Sequence, residues 1–278
     1  MKNQDNKIDL LVLIVLFKNT IKDSETITSI LRQELTKGFF SLKVIIWDNS
    51  PTPLSDDDMD IMVQNNINFS YIFKAKNEKL SIVYNSIIKD YNFNFILLLD
   101  QDSLFPKNYF DTLSNIVNLF PNINLFLPII KNRNKIVSPG TLMNFKGKHW
   151  ATEKIGVIKS KNVLCITSGM LIKKDYFIVN NHYFDERLSF YGIDSSFMLK
   201  FAQNNRYLYV FSTNFQHNTV LWSNPPVEIM LNRFKQLRSS WPIIFENRPL
   251  ARILSSLYSI YVAFKLALKY KDIRFLIF

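Results

Sequence analysis

Asp100 and Asp102 stand one residue apart at the end of the run Phe95-Ile96-Leu97-Leu98-Leu99, and their type and spacing point to chemistry. Residues i and i+2 of an extended chain face the same way, so both carboxylates can converge on one ligand. Two hard oxygen donors suit Mg²⁺ or Mn²⁺ on a diphosphate: such an ion takes few protein carboxylates and fills its remaining positions with phosphate oxygens and water. Taken alone, the pair is equally compatible with a solvated strand end or a helix cap.

The elements that must hold these acids follow from the apolar pattern. A short all-apolar run between turn-like segments suits a strand buried on both faces of a parallel sheet, and the C-terminal edge of such a sheet is where open α/β folds bind ligands. Leu10 to Phe17 predicts the first strand. Asp23-Ser24 offers an N-cap to a helix carrying Ile27, Ile30, Leu31 and Leu35 and ended by Gly38. Leu42 to Trp47 reads as a second strand running into Asp48-Asn49-Ser50-Pro51, and Phe69 to Phe73 as a third. Leu80, Val83, Tyr84, Ile87, Ile88 and Tyr91 mark one helical face before the acidic-ended strand. Pro106 then predicts the first turn of a helix with Phe110, Leu113, Val117 and Phe120, and Ile123 to Ile130 another strand. This alternation predicts a doubly wound α/β sheet.

From Lys131 to Lys161 the pattern gives way to a polar, glycine-containing segment, read as irregular hairpins or a mobile loop over the site. Asn162 to Ile172 resumes a strand interrupted at Thr167-Ser168-Gly169, followed by a short helix near Asp175, a helix from about Ser195 to Asn204, and a strand from Arg206 to Ser212 leading to His217. His149 and His182 read as surface or loop residues.

At 278 residues and 47% hydrophobic content the chain can bury a full core, as one large α/β domain with an appendage. Its single cysteine, Cys165, lies in an apolar run, which excludes disulfides and a cysteine-rich zinc site and fits a reducing compartment. The apolar run Leu10 to Phe17 is too short to span a membrane and lacks a signal-peptidase site. The net charge of +11 is uneven: Arg233 to Phe278 holds nine bases against Glu246 and Asp272. Because these bases interleave with Ile253, Leu257, Ile260, Tyr261, Phe264 and Leu268 rather than with loops or an aromatic sheet face, nucleic acid is disfavoured as a partner.

Four ordered landmarks then carry a resemblance. They are Trp47-Asp48-Asn49-Ser50; Asn77 with Asn85; Leu98-Leu99-Asp100-Gln101-Asp102-Ser103; and the series Ser168-Gly169-Met170-Leu171-Ile172, Phe184-Asp185-Glu186, Tyr191-Gly192-Ile193-Asp194. Together they resemble family-2 glycosyltransferases of the GT-A fold, in particular bacterial rhamnosyltransferase-like enzymes of O-antigen and capsule polysaccharide synthesis. The resemblance covers Ile8 to Val220 and implies an α/β fold of the GT-A type, a Rossmann-like mixed, mostly parallel sheet flanked by helices, over 1–222. A basic amphipathic helical extension would occupy 223–278.

It further implies that Asp48, Asn77 and Asn85 contact a nucleotide-sugar donor, dTDP-rhamnose first and a UDP-sugar next. Asp100 and Asp102 would hold Mg²⁺ or Mn²⁺, with His217 as a third ligand or diphosphate contact. Asp194 matches the family's base, with Asp185 or Glu186 in reserve, so the product would have inverted configuration. Glu78-Lys79 stands where relatives carry small residues. The acceptor would be polyprenyl-diphosphate-linked or a free oligosaccharide, with the basic tail either lying in the plane of the anionic inner membrane or packed on the catalytic domain. A dehalogenase-type phosphatase fits less well, because its paired aspartates follow the first strand, not the fourth. The alternative from a different class is a non-catalytic transferase relative acting as a membrane-associated binding protein.

Overall fold

The computed structural model describes residues 7–33, 40–217 and 225–277. Leu35, Gly38 and the expected boundary between 222 and 223 lie outside them. Leu10 to Leu16 offers no residue that must meet water, and it forms the middle of the sheet. Strand β1 (Ile8–Leu16) lies parallel to β2 (Phe40–Asp48) on one side and to β4 (Phe95–Asp100) on the other, with β3 (Phe69–Phe73) beyond β2. The register sets Asp48 opposite Leu16 and Asp100 opposite Val15, so both acids reach the same C-terminal edge.

Alternate residues of β1 face opposite layers, as a two-residue period requires. Leu11 and Leu13 join the core of α3 (Leu80–Asp90) and α6 (Ile193–Asn204) through Tyr84, Ile87, Phe197 and Phe201. Leu10, Val12 and Ile14 pack with Ile27 and Ile30 of α1 (Glu25–Leu31) and with Tyr109 and Leu113 of α4 (Tyr109–Leu119).

Beyond β4 the sheet is mixed. Strand β12 (Leu171–Lys173) runs antiparallel between β4 and β6 (Leu125–Asn132), and β13 (Tyr207–His217) runs parallel to β6. The expected strand from Asn162 is two pieces. Val163–Leu164, β11, belongs to a separate three-stranded sheet with β8 (Gly140–Met143) and β9 (Lys146–His149), so the segment after Lys131 is ordered hairpin structure. The chain changes sheets at Gly169, which has φ +84°, and a Cβ there would lie 2.5 Å from Pro128 Cγ.

Pro106 does not open α4. Ser103–Leu104 stays extended as β5, paired with Gln216–His217, and the helix begins three residues later at Tyr109.

The tail folds as two helices, α7 (Val227–Ile244) and α8 (Pro249–Tyr270), followed by a 3-10 turn (Ile273–Phe275), and Leu231, Phe234, Ala263 and Phe275 form a small core between them. It packs on the rest of the chain where Phe245 and Ala251 meet Leu142 and Leu199. Helix α8, at 22 residues, is long and apolar enough by length and composition to cross a membrane. Its buried residues are the small ones, Ala251, Ser255, Ser259 and Ala263.

Candidate active site

The sheet edge opens into a cavity of about 1220 Å³. Asp100, Asp102 and His217 line it, and a ligating atom from each lies within 4.8 Å of the other two. His217 is 115 residues or more from the acids in sequence. The two-residue ladder of β5 on β13, which sets His217 opposite Ser103, brings it there.

The turn that presents the acids is held from several sides. Thr26 Oγ1 donates to the Asp100 carbonyl and accepts from Ser103 N at 2.8 Å, while Ser24 Oγ donates to the Gln101 carbonyl at 2.8 Å. Ser168 Oγ accepts from Asp100 N at 3.1 Å and bonds Ser103 Oγ at 2.7 Å. The carboxylates themselves remain about a third exposed. His217 Nδ1 is buried 3.2 Å from Asp102 Oδ1 yet lacks an aligned hydrogen bond. Burial pushes the Asp100 carboxyl up, His217 opposes the shift, and Asp102 and Asp194 add to it. Two carboxylates and an imidazole with an unsatisfied nitrogen are a fitting donor set for Mg²⁺ or Mn²⁺. Among the described residues no other such cluster occurs.

Asp194 lines the same cavity from the first turn of α6. Its Oδ1 accepts from Ser195 N at 2.5 Å and from Ser195 Oγ at 3.2 Å. Burial raises its pKa to about 6, against the pull of those bonds. Helix α6 starts at Gly192, whose φ is +84° and whose Cβ position lies 2.5 Å from Ile244 Cδ1 of α7. Gly192→Ala is therefore expected to cost about 1–3 kcal/mol of stability, from the left-handed backbone and the clash together. Denaturant unfolding measures that loss. Measured in an Ile244→Ala background, the cost of Gly192→Ala should shrink by the part due to the clash.

The donor-contact candidates divide. Asn77 lines the cavity. Asp48 is fully buried and spent on local structure, accepting from Ser50 N at 2.9 Å and Tyr71 Oη at 2.7 Å. The half-buried Tyr71 hydroxyl is pushed up to about 12, first by desolvation and further by Asp48. Asn85 is also buried: it brackets Phe184 with hydrogen bonds to that residue's N and O, both 2.9 Å, and donates to Glu186 Oε1 at 2.8 Å. Neither Asp48 nor Asn85 reaches the cavity wall.

Asn49, which the sequence reading passed over, is the member of the turn that borders the cavity, although it too is buried and its Oδ1 accepts from Trp47 Nε1 at 2.9 Å. It lines the cavity and ties the turn after β2 to Glu78 through N–H and C=O bonds of 3.2 and 3.0 Å. The signal was the Asp-Asn-Ser-Pro turn itself. Lys79 reaches the Glu186 carbonyl at 3.0 Å, and Leu80 N donates to the Ser189 carbonyl at 3.1 Å, so the departure at Glu78-Lys79 braces the loop leading to Asp194.

The reserve bases are otherwise engaged. Asp185 is paired with Arg187 at 2.6 Å and Lys200 at 3.6 Å, and the Arg187 hydrogen bond holds its pKa low. Glu186 is held by Asn85. His182 is buried, stacked 5.0 Å from Phe197, and burial lowers its pKa to about 4.

A mixed, mostly parallel sheet between helices, with an Asp-x-Asp turn at the end of a central strand, is the GT-A arrangement of nucleotide-sugar transferases. The sequence model described as Glycosyl transferase family 2 matches residues 23–179, more than half of the chain, and the protein belongs to that family. The match includes Asp48, Asn77, Asn85, Asp100 and Asp102, while Asp194 and His217 lie beyond it.

Among solved structures, S. aureus TarS 1-349 is similar at TM-score 0.56 and 16% identity, over 84% of this chain and 66% of that one. Its complex with UDP-GlcNAc gives TM-score 0.57 at 15% identity, over 84% and 67%. A longer TarS structure gives 0.52 at 14%, over 84% and 40%. The chain thus spans about two thirds of the shorter TarS chain and well under half of the longer one. No curated protein matches it.

Proposed function

We propose that this protein is an inverting glycosyltransferase that moves a sugar from a nucleotide-sugar donor to a hydroxyl of a growing bacterial surface polysaccharide. The observation that carries the reading is one cavity lined both by Asp100, Asp102 and His217 and by Asp194. Diphosphate binding and proton removal need distinct groups, and here they share a site. The donor's diphosphate lies over the acidic turn, with Asn77 on its nucleotide side, while Asp48, Asn49 and Asn85 position the backbone around it. Asp194 accepts the proton of the acceptor hydroxyl as that oxygen attacks the anomeric carbon opposite the departing nucleoside diphosphate. Asp102, Asp100 and His217 would hold a divalent cation, which would supply Lewis-acid neutralisation of the diphosphate charge.

The Asp-Gln-Asp-Ser sequence favours dTDP-rhamnose as donor, and the UDP-GlcNAc complex of TarS supports a UDP-sugar as the second choice. The acceptor is a polyprenyl-diphosphate-linked saccharide at the cytoplasmic face of the inner membrane. A panel of dTDP-, UDP- and GDP-sugars with Mn²⁺ or Mg²⁺ tests the reading. Nucleoside diphosphate release from one donor class, and nucleotide binding tightened by the ion, are the expected results. Nucleotide binding that is absent or indifferent to the ion would instead favour a non-catalytic binding protein.

A further inference from the structure

The apolar residues of α8 face outward. Leu250, Ile253, Leu257, Ile260, Tyr261, Phe264 and Leu268 are between 44% and 80% exposed. At 100° per residue they fall within one stripe about 100° wide, and they span about 27 Å of helix at 1.5 Å per residue. The opposite face, packed on the protein, carries the small residues. A core helix has the reverse arrangement, and each large apolar side chain left in water is a forgone gain, so a continuous stripe of this kind marks a surface that something covers.

Charge identifies the occupant. Helix α8 contains Arg252, Lys265 and Lys269 and no acid. All three bases are exposed and none interrupts the stripe: Lys265 stands at its border, Arg252 and Lys269 lie about 130° from its centre near the two ends of the helix, and exposed Lys271 follows at the helix end. A second copy of the same helix would bring like charges together along the seam, whereas coiled-coil pairs use opposite charges there. An anionic lipid surface takes both features at once, with apolar side chains in the acyl boundary and bases at the phosphates. Crossing the bilayer is a poor fit, because the buried serines and alanines of α8 are already committed to α7 and the domain.

We propose that the outward stripe of α8 seats the protein in the plane of an anionic membrane. The site is thereby brought to the bilayer: Tyr258 of α8 lines the cavity, and its ring lies 5.9 Å from Tyr261 of the stripe, 5.5 Å from Phe145 and 6.1 Å from Trp241. This aromatic wall adjoins the seated face, so an acceptor with a lipid anchor reaches the cavity without leaving the membrane. That consequence rests on the proposed transferase reading. The seating itself does not.

Flotation of the full chain with phosphatidylglycerol/phosphatidylcholine vesicles, beside vesicles of phosphatidylcholine alone, tests the inference. The wild type should float with the anionic vesicles and at least about tenfold less with the neutral ones. Leu257→Asp with Phe264→Asp should abolish flotation, and Lys265→Glu with Lys269→Glu should weaken it by about tenfold and remove its salt dependence. All four residues are exposed, so folding is expected to survive, and circular dichroism with thermal unfolding of the same variants confirms it. Failure of the wild type to bind anionic vesicles overturns the proposal, as does equal binding to both vesicle types. A concentration-dependent dimer that the Leu257/Phe264 variant breaks, without vesicle binding, assigns the face to a second copy instead. Vesicle binding without nucleotide binding would leave the seating intact and remove the transferase reading.

Discussion

Asp102→Ala is expected to erase the dependence of nucleoside diphosphate binding on Mn²⁺ or Mg²⁺ and to lower transfer by about 10³-fold, or about 4 kcal/mol of transition-state stabilisation. The effect should be large because Asp102 is one of only two carboxylates in the cluster, and no other acid of the turn can replace it. It should also be local. The turn's shape comes from Thr26, Ser24 and Ser168 bonding to backbone and to Ser103, none of which uses the Asp102 carboxylate. Calorimetric titration with nucleoside diphosphate, with and without the ion, reads the binding term directly, and thermal unfolding checks that the fold persists. Ion-dependent binding at wild-type strength in the variant would remove Asp102 from the cluster's work. Asp102→Asn, which keeps size and loses charge, should behave as the alanine variant does.

Asp194→Asn is expected to lower transfer by about 10²–10⁴-fold while leaving donor binding unchanged, since a general base acts on the acceptor proton and not on the diphosphate. Ser195 can still donate to the asparagine oxygen, so the first turn of α6 should hold its shape. The pH dependence separates this role from a structural one. Burial raises the Asp194 pKa to about 6, so the carboxylate a base requires forms only as pH rises through that value. Transfer by the wild type should fall about tenfold per unit below pH 6 and level off above it. In the variant the small remaining rate should lack that limb. A wild-type profile flat from pH 5 to 8, or a variant retaining the limb, would assign the proton transfer to another group.

Much of this site was legible because its parts are local. The Asp100/Asp102 pair announces itself through an abrupt end to an all-apolar run, and the same run predicts the strand, since both faces of a central strand are buried. The β1, β3 and α3 segments fell close to expectation for the same reason: period and burial are written residue by residue. Misreadings arose where a neighbour distant in sequence decides the local conformation. Pro106 looked like a helix start, but pairing with β13 keeps Ser103 and Leu104 extended. Asn162 to Ile172 looked like one interrupted strand, but its halves find partners in different sheets.

The order of elements, the acidic turn, the asparagines and the outline of a basic apolar tail are thus properties of the sequence by itself, because each depends on side-chain type and spacing along a short stretch. Only the tertiary structure decided which of those residues face the cavity. It buries Asp48 and Asn85 in bracing roles, puts Asn49 at the wall, commits Asp185 and Glu186 elsewhere, and carries His217 to the acids through a two-residue ladder. It also turned the tail around, since amphipathic spacing states that α8 has an apolar stripe but not which face meets the protein. Close packing against α7 and the domain selects the face with the smallest side chains, and that leaves the large ones outside.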